Sequence, residues 1–536
     1  MNKVVRHAPL LVLLGLGLAL RLVLAYAIFP GQGLSSDLGF FEGWTTTLAR
    51  VGPGSFYDSA SAANYPPGYM YVLWLVGAIG TLAGSSAAEV TLLLLKLPAI
   101  AADIAIGAIL YFAGQRWFGS RAGLIAAALY LFNPVAWYDS ALWGQVDAVG
   151  ALVMLAAVVL LVEGWSELAA ALAAFSLLIK PQDAIILVVI VPVLVRRHLL
   201  RPGSGPTPRL GSRLTALDRR SGGILGGQGP IRLATSLAAA ATALIVPLIP
   251  FDIGRYAPAS LADLPVIGNL AGLIGLFVSD GGQFSILTAN AFNAWALVGD
   301  KPLASIIGGS GGSWTADSIV VIGGLRAVTL GAILLASLGL IVAGGLLTRA
   351  DRQAILLGFC LVAFGFYALP TRVHERYLFP FFAVAPLLAV QAGRWAAAYI
   401  GAGVLNAINL HAVLGAASSV GQAGGGGGGF GGAGFGGGGS APSGGEFGGS
   451  GGFAGGGAGF SGGGLGARAG GVGGPAGQPG SISLPFTDLA RSEWVVTAVA
   501  LGQTLIFAGL LAGWLVLVLQ PLVMGRNPGE RSLAGS

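Results

Sequence analysis

The stretch that decides the fold lies at residues 31–71 and reads GQGLSSDLGFFEGWTTTLARVGPGSFYDSASAANYPPGYMY. It follows an apolar run at residues 8–29 and carries three carboxylates, Asp37, Glu42 and Asp58. Carboxylates are rare in this chain, in which only 9% of the residues are charged. We therefore interpret the stretch as a water-facing loop that lies on a membrane.

The composition outside this loop predicts a membrane protein. The chain has 536 residues, of which 55% are hydrophobic, and a soluble domain usually carries roughly 25% charged residues. Apolar runs recur that match the roughly 20 residues needed to cross a bilayer. We predict an all-α, polytopic transmembrane helical bundle of about twelve spans, with amphipathic juxtamembrane helices in the first outer loop.

Charge predicts which side each loop faces. Basic residues flank cytoplasmic ends, so Lys3 and Arg6 place the N-terminus inside and the loop at residues 31–71 outside. The basic cluster at residues 116–121 is then cytoplasmic, so the apolar segment at 69–82 lies at the interface and the segment at 91–113 spans. The C-terminal arginines, Arg526 and Arg531, place that end inside as well. The predicted location is the plasma membrane, and the net charge of +6 is not taken to indicate nucleic acid.

We divide the chain into three parts. Residues 1–420 form a transmembrane module whose first outer loop covers 30–90, residues 421–480 form a Gly-rich outer insertion, and residues 481–536 hold the last span and a cytoplasmic tail. The insertion has almost no branched apolar residues to bury, so a disordered spacer is favoured over a ligand site or an adhesive segment. Cys360, the single cysteine, excludes an intrachain disulfide and lies in an apolar run typical of a buried thiol.

Four polar clusters are predicted at the outer ends of helices. They are Ser36-Asp37, the WGQVD motif at residues 143–147, the KPQD motif at 180–183, and Arg372 with the HER motif at 374–376. Ionisable groups at the ends of membrane-spanning helices are costly unless they are paired or hydrated, so a functional site is the default hypothesis for these clusters. The alternative is that helix ends simply carry polar caps. A carboxylate can act as a general base toward a hydroxyl, and Arg or His can stabilise phosphate. The combination suits transfer of a group from a lipid phosphate to a hydroxyl.

An Asp in the first outer loop followed by YPPG, then WGQVD, KPQ, NAFNAWAL and HERYLFP, resembles the bacterial GT-C mannosyltransferases related to the second GPI mannosyltransferase. The similarity to the dolichol-phosphate-glucose-dependent glucosyltransferases is more distant. The resemblance to the mannosyltransferases covers the chain from Asp37 to about His411, and the Gly-rich insertion departs from the pattern.

The resemblance implies an inverting transferase of GT-C type that takes a hexose from a polyprenyl-phosphate donor. It implies Asp37 as the catalytic base and a site outside the cytoplasm. The implied donor-phosphate ligands are Arg372, His374, Arg376 and Lys180. The implied sugar or acceptor ligands are Glu42, Trp44, Tyr65, Gln145, Asp147, Gln182 and Glu375.

Several alternatives remain open. Glu42 could replace Asp37 as the base, and Glu375 could be purely structural through an ion pair with Arg372 or Arg376. A divalent ion between Asp37 and Asp147 is possible in principle, but we predict no cofactor and no metal. Arg21 is expected to extend toward the lipid headgroups. Lys96 and Asp103 share a helix face and are expected to find buried partners. His411 is expected to bridge helices by hydrogen bonds.

Two other classes of function compete with the transferase. A transporter or flippase of lipid-linked sugars would concentrate ionisable residues near the bilayer midplane, and a scaffold would depend on the Gly-rich segment. The predicted partners are the bilayer, the lipid-linked donor and an acceptor that is a glycolipid, a glycan or a protein. The sequence does not name the sugar, although the resemblance points to mannose.

Overall fold

The computed structural model describes residues 3–60, 63–84, 92–208, 218, 223, 227–282, 285–298, 315–423, 480–482 and 484–523. The predicted Gly-rich insertion therefore lies, apart from its two ends, outside the described residues. The described part of the chain is mainly helical. The first half of the chain contains α1 Lys3–Leu22, α2 Ser35–Val51, α3 Phe56–Ser59, α4 Pro67–Leu82, α5 Leu97–Phe118, α6 Ser120–Leu131, α7 Pro134–Trp137, α8 Asp147–Val162, α9 Ser166–Ser176 and α10 Leu187–Val195.

The second half continues with helices and two short pairs of strands. Its helices are α11 Pro230–Ile245, α12 Ala259–Ala262, α13 Ile267–Gly282, α14 Ala327–Thr348, α15 Arg352–Ala368, α16 Phe379–Val384, α17 Pro386–Ala389, α18 Gly393–Ala423, α19 Thr487–Ala490 and α20 Glu493–Val523. The strands are β1 Gln32–Gly33, β2 Val320–Ile322, β3 Leu325–Arg326 and β4 Gly480–Ser481.

Six helical segments among the described residues are long and apolar enough to cross a membrane. They are His7–Ile28, Leu92–Phe118, Pro230–Leu248, Ala327–Thr348, Gly393–Ala416 and Glu493–Gln520. Several other apolar helices are shorter, among them α4, α8 and α15. The count of twelve spans and the sides of the membrane remain predictions.

One predicted span begins later than the apolar pattern indicates. The apolar run from Ile319 to Leu347 predicts a single helix. In the structure, residues 320–326 form an antiparallel hairpin, and the helix starts at Ala327. The turn of the hairpin is Gly323-Gly324, with φ of 59° and 79°, a conformation that glycine adopts without strain. β-Branched residues before this turn favour a strand over a helix.

The expectation for Arg21 is wrong, because this side chain is fully buried. Its Nε lies 2.6 Å from Oδ2 of Asp103, which is also fully buried. Tyr130 and Ser140 each donate a further hydrogen bond of 2.6 Å to the same carboxylate. Asp103 thus does find buried partners, as predicted, and α1, α5 and α6 are joined through it.

The described residues form two large hydrophobic cores, and the second contains the helices of the predicted first outer loop. The larger one is built from α5 to α10, α14 to α18 and α20, and many of its members are alanines and aromatic residues. The second core joins the outer-loop helices α2 and α4 to residues near positions 178 and 251, through Phe41, Trp44, Tyr57, Tyr69 and Phe251. Polar side chains of α2 therefore meet those of the larger core at the boundary between the two.

A pair of strands connects distant parts of the chain next to this boundary. Gln32 and Gly33 of β1 pair in parallel with Gly480 and Ser481 of β4. Because β1 directly precedes α2, the segment that follows the Gly-rich insertion lies beside the start of the helix that carries Asp37.

Candidate active site

Asp37 lies in the first turn of α2, where the unpaired backbone N–H groups of a helix stabilise negative charge. Its Oδ2 accepts a hydrogen bond of 2.9 Å from the indole Nε1 of Trp143 and another from Nε2 of Gln145. Among the described residues, both hydrogen bonds to this carboxylate go to Oδ2. The second oxygen, Oδ1, is therefore available to a ligand.

The WGQVD motif supplies these donors through an irregular turn. Residues Tyr138–Trp143 form a π-helical turn, and Gly144 follows in the left-handed region with φ of 87°. The backbone N–H groups of Gly144 and Gln145 both donate to the carbonyl of Asp139 at 3.0 Å. This turn directs Trp143 and Gln145 to Asp37, while Asp147 begins α8.

The KPQ turn brings a buried cation to the same place. Nζ of Lys180 lies 2.7 Å from Oδ1 of Asp147 and 3.3 Å from Oε1 of Gln145. Nε2 of Gln182 lies 3.4 Å from the same Asp147 oxygen. Burial acts to lower the pKa of Lys180, but Asp147 and Tyr65 together outweigh it and raise the pKa above its ordinary value. Lys180 is therefore a permanent cation.

The HER turn adds a second cation. Nη1 of Arg376 lies 2.7 Å from Oε1 of Glu375, and its Nε lies 3.7 Å from Oδ2 of Asp147. The guanidinium also lies over the ring of Trp143, 5.7 Å from its centroid. Burial acts to lower the pKa of Arg376, but Asp37 and then Glu375 raise it well above its ordinary value. The turn and the Asp37 loop thus belong to one electrostatic cluster.

Burial shifts the pKa values of both His374 and Glu375. Burial, followed by the charges of Arg376 and Lys180, lowers the pKa of His374 well below its ordinary value. Its imidazole is therefore neutral near pH 7 and can act on a phosphate only through hydrogen bonding. Burial raises the pKa of Glu375 although Arg376 opposes that shift. Of the two arginines considered as its partner, Glu375 pairs with Arg376.

The NAFNAWAL stretch holds the HER turn in position. The amide of Asn293 donates to the carbonyl of Tyr367 at 2.8 Å, and the Trp295 indole donates to that of Leu369 at 2.8 Å. Asn409 on α18 accepts from the backbone N–H of Phe292 and donates to the carbonyl of Asn290. These contacts are structural, and they explain why the motif carries asparagine and tryptophan.

Arg372 is not brought to the cluster. Its Nε lies 2.6 Å from Oδ2 of Asp317 and its Nη1 donates to the carbonyl of Gly281 at 2.6 Å. Its backbone has a φ of 66°, and its side chain turns toward Gly281 and Asp317 while the next residues enter the site. Arg372 therefore fastens the loop that precedes α14.

The remaining predicted residues divide between the site and its support. The hydroxyl of Tyr65 donates to Oε1 of Gln145 at 3.4 Å, and Nζ of Lys180 lies 5.4 Å from its ring centroid. Trp44 is buried behind Tyr65, with ring centroids 5.4 Å apart, and so supports it. Glu42 lies five residues after Asp37 on α2, about 140° around the helix axis at 100° per residue. Burial raises the pKa of Glu42.

Two features of the site were missed by sequence reasoning. Trp143 donates directly to Asp37, and the only signal for this was its position at the start of WGQVD. Asp183 of the KPQD motif is buried, and burial raises its pKa well above the ordinary value. The described residues contain no group of three or more His, Cys, Asp or Glu side chains arranged to hold a metal ion.

No protein-family model and no curated protein sequence matches the chain. Similar solved structures include the archaeal oligosaccharyltransferase AglB from Archaeoglobus fulgidus in complex with an inhibitory peptide and a dolichol-phosphate. This structure is 14% identical over 79% of the present chain and 53% of its own, with a TM-score of 0.37. The apo form of the Archaeoglobus fulgidus oligosaccharyltransferase is also 14% identical, over 74% and 52%, with a TM-score of 0.36. The chain spans about half the length of these structures. These TM-scores are too low to establish a shared fold.

Proposed function

We propose that the protein is an inverting membrane glycosyltransferase that moves a hexose from a polyprenyl-phosphate-linked donor to an acceptor hydroxyl outside the cytoplasm. One observation carries the proposal: Asp37 shares a half-buried polar cluster with Arg376 and Lys180 through Trp143 and Gln145. The motif resemblance to GT-C mannosyltransferases supports mannose as the sugar.

Asp37 is proposed as the general base. Two hydrogen bonds fix Oδ2, so Oδ1 is the oxygen that removes the proton from the acceptor hydroxyl. The deprotonated oxygen attacks the anomeric carbon, the glycosidic bond to phosphate breaks, and polyprenyl phosphate leaves with the bonding electron pair. Because attack and departure occur on opposite faces of the sugar, the configuration is inverted.

Arg376 and Lys180 are proposed to hold the donor phosphate, assisted by the neutral His374. Both cations are paired with carboxylates here, so the phosphate replaces Asp147 or Glu375 as their partner when the donor binds. Sugar hydroxyls then meet Gln145, Gln182 and Asp147, beside the ring of Tyr65.

The experiment is Asp37→Asn in the purified protein, with radiolabelled polyprenyl-phosphate mannose as donor. Transfer should fall by about 10²- to 10⁴-fold while the donor still binds, because the base is lost and the phosphate ligands remain. The matched control is Asp58→Asn, which removes an exposed carboxylate of the same loop, with a side chain 65% exposed and 3.6 Å from Arg255.

Transfer by Asp37→Asn at the wild-type rate would show that Asp37 is not the base. Translocation of the labelled lipid across proteoliposomes, without any transfer and unaffected by Asp37→Asn, would favour the transporter or flippase instead. An unlabelled donor series with glucose in place of mannose tests the identity of the sugar.

A further inference from the structure

Lys96 is a buried cation that the proposed mechanism does not use. It precedes α5 and is only 3% exposed. Among the ion pairs of the described residues, none involves Lys96. A buried ammonium without a carboxylate is costly unless its N–H groups are satisfied in another way.

Three backbone carbonyls satisfy it. Nζ of Lys96 lies 2.5 Å from the oxygen of Gln32, 2.7 Å from that of Ala141 and 3.3 Å from that of Leu142. A lysine ammonium has three N–H donors, so the number of acceptors matches the number of donors. Ala141 and Leu142 lie at the end of a helical turn, where carbonyls lack intrahelical partners and favour a cation.

The three carbonyls belong to the two segments that form the Asp37 environment. Gln32 lies in β1, just before α2, and the other two lie just before Trp143. The segments also meet through a backbone hydrogen bond of 3.1 Å from Leu34 to the Trp143 carbonyl. On the far side of this joint, the side chain of Asp37 accepts its hydrogen bonds from Trp143 and Gln145.

From this arrangement we infer that Lys96 is a positioning residue for the transfer reaction: it fastens the segment that carries Asp37 to the segment that carries its hydrogen-bond donors. The inference rests on the proposed function for its effect on catalysis. Backbone carbonyls use all three N–H donors of Lys96, and so it acts on the rate through Asp37. Errors in the placement of a catalytic group of about 1 Å cost on the order of 100-fold in rate.

The test is Lys96→Met, which keeps the length of the side chain but removes the charge and the donors. We expect kcat to fall by about 10- to 100-fold while the KM for the donor stays within about twofold, because the phosphate ligands are on other segments. The control is Arg232→Met. Arg232 is also buried, at 2% exposure, and donates to the carbonyls of Gly164 and Gly227. It also pairs with Glu167 at 3.0 Å, and none of its hydrogen bonds in the described part of the chain goes to the Asp37 cluster. This variant should keep the wild-type kcat.

Hydrogen–deuterium exchange provides a readout that needs no transfer activity. In Lys96→Met the amides of Leu34 and Gly144 should exchange at least about tenfold faster than in the wild type, and in Arg232→Met they should not. Unchanged exchange at both amides in Lys96→Met overturns the inference whatever the activity of the protein. Faster exchange with an unaltered kcat also overturns it, as does an equal loss of kcat in both variants. A wild-type protein that binds donor but transfers no sugar would overturn the proposed function, and exchange alone would then decide whether Lys96 fastens the two segments.

Discussion

The ion pair between Asp147 and Lys180 allows a sharp prediction about stability. Both side chains are 4% exposed and the two charged atoms are 2.7 Å apart. In Asp147→Asn, the Lys180 ammonium stays buried with only neutral amide oxygens beside it, that of the substituted side chain and that of Gln145 at 3.3 Å. Removing one member of a buried pair typically costs about 3–5 kcal/mol, and we expect the free energy of unfolding to fall by that amount.

The opposite substitution should cost less. In Lys180→Met, Asp147 still faces Arg376 at 3.7 Å and Gln182 at 3.4 Å, so its charge keeps partial compensation. We expect a loss of about 1–3 kcal/mol, comparable to a lost hydrogen bond to a charged group. The double variant should cost less than the sum of the two, with a coupling free energy of about 1–3 kcal/mol.

The measurement is equilibrium unfolding in mixed micelles with an increasing fraction of denaturing detergent, followed by circular dichroism. The control cycle uses Arg349 and Asp351, whose side chains are 34% and 47% exposed and whose charged atoms lie 2.5 Å apart. An exposed pair of this kind should show a coupling of about 0–1 kcal/mol. Additive effects at Asp147 and Lys180, or coupling no larger than in the control cycle, would refute our description of the cluster.

Three further predictions concern single residues. His374→Asn should make the free energy of unfolding less dependent on pH. Because the pKa of His374 is lowered in the folded protein, the unfolded chain takes up a proton first, and wild-type stability falls as the pH drops below about 6.5, the ordinary value. Thermal unfolding from about pH 7.5 to 5 checks this. Arg372→Met should lower the unfolding temperature by removing the contact with Asp317 while leaving the KM for the donor within about twofold, and a raised KM would return Arg372 to the site. Gly144→Ala should reduce kcat at least about tenfold, because φ of 87° is strained for alanine and its Cβ would lie 2.7 Å from Cδ2 of Leu38; wild-type kinetics would contradict this role for the turn.

The sequence predicted a mainly helical chain with helices long enough to cross a membrane, because bilayer thickness fixes the length of an apolar run. Six such helices lie among the described residues, and the count of twelve spans stays a prediction. It was less successful where helices break. Hydropathy alone predicts one helix for the run at residues 319–347, because it does not register the turn at Gly323-Gly324 in the 320–326 hairpin. The short helices on each side of the KPQD turn agree with the sequence, because each apolar run there is too brief to span the bilayer.

The site was predicted in part. The positions of the basic residues placed Asp37 and the HER turn on the same predicted side of the membrane, and the structure brings Asp37 and Arg376 into one cluster. The charge pattern could not show which of Arg372 and Arg376 enters the site, because the two are only four residues apart. Their side chains point in different directions because of the backbone conformation at Arg372. Arg21 was misjudged for a related reason: an arginine in an apolar run can reach headgroups or a buried acid, and the helix packing that provides Asp103 is not visible in the sequence.

The pairing of β1 with β4 has a consequence for how the protein is made. Residues 33 and 481 are neighbours in space, but a ribosome that adds 5–20 residues per second needs about 20–90 seconds to pass from one to the other. During that interval the beginning of the chain is already in the membrane without its final strand partner. A nascent chain arrested before residue 480 should therefore contain its early helices but lack the pairing of β1 with β4 beside Asp37. The formation of this strand pair is thus one of the last events in biogenesis.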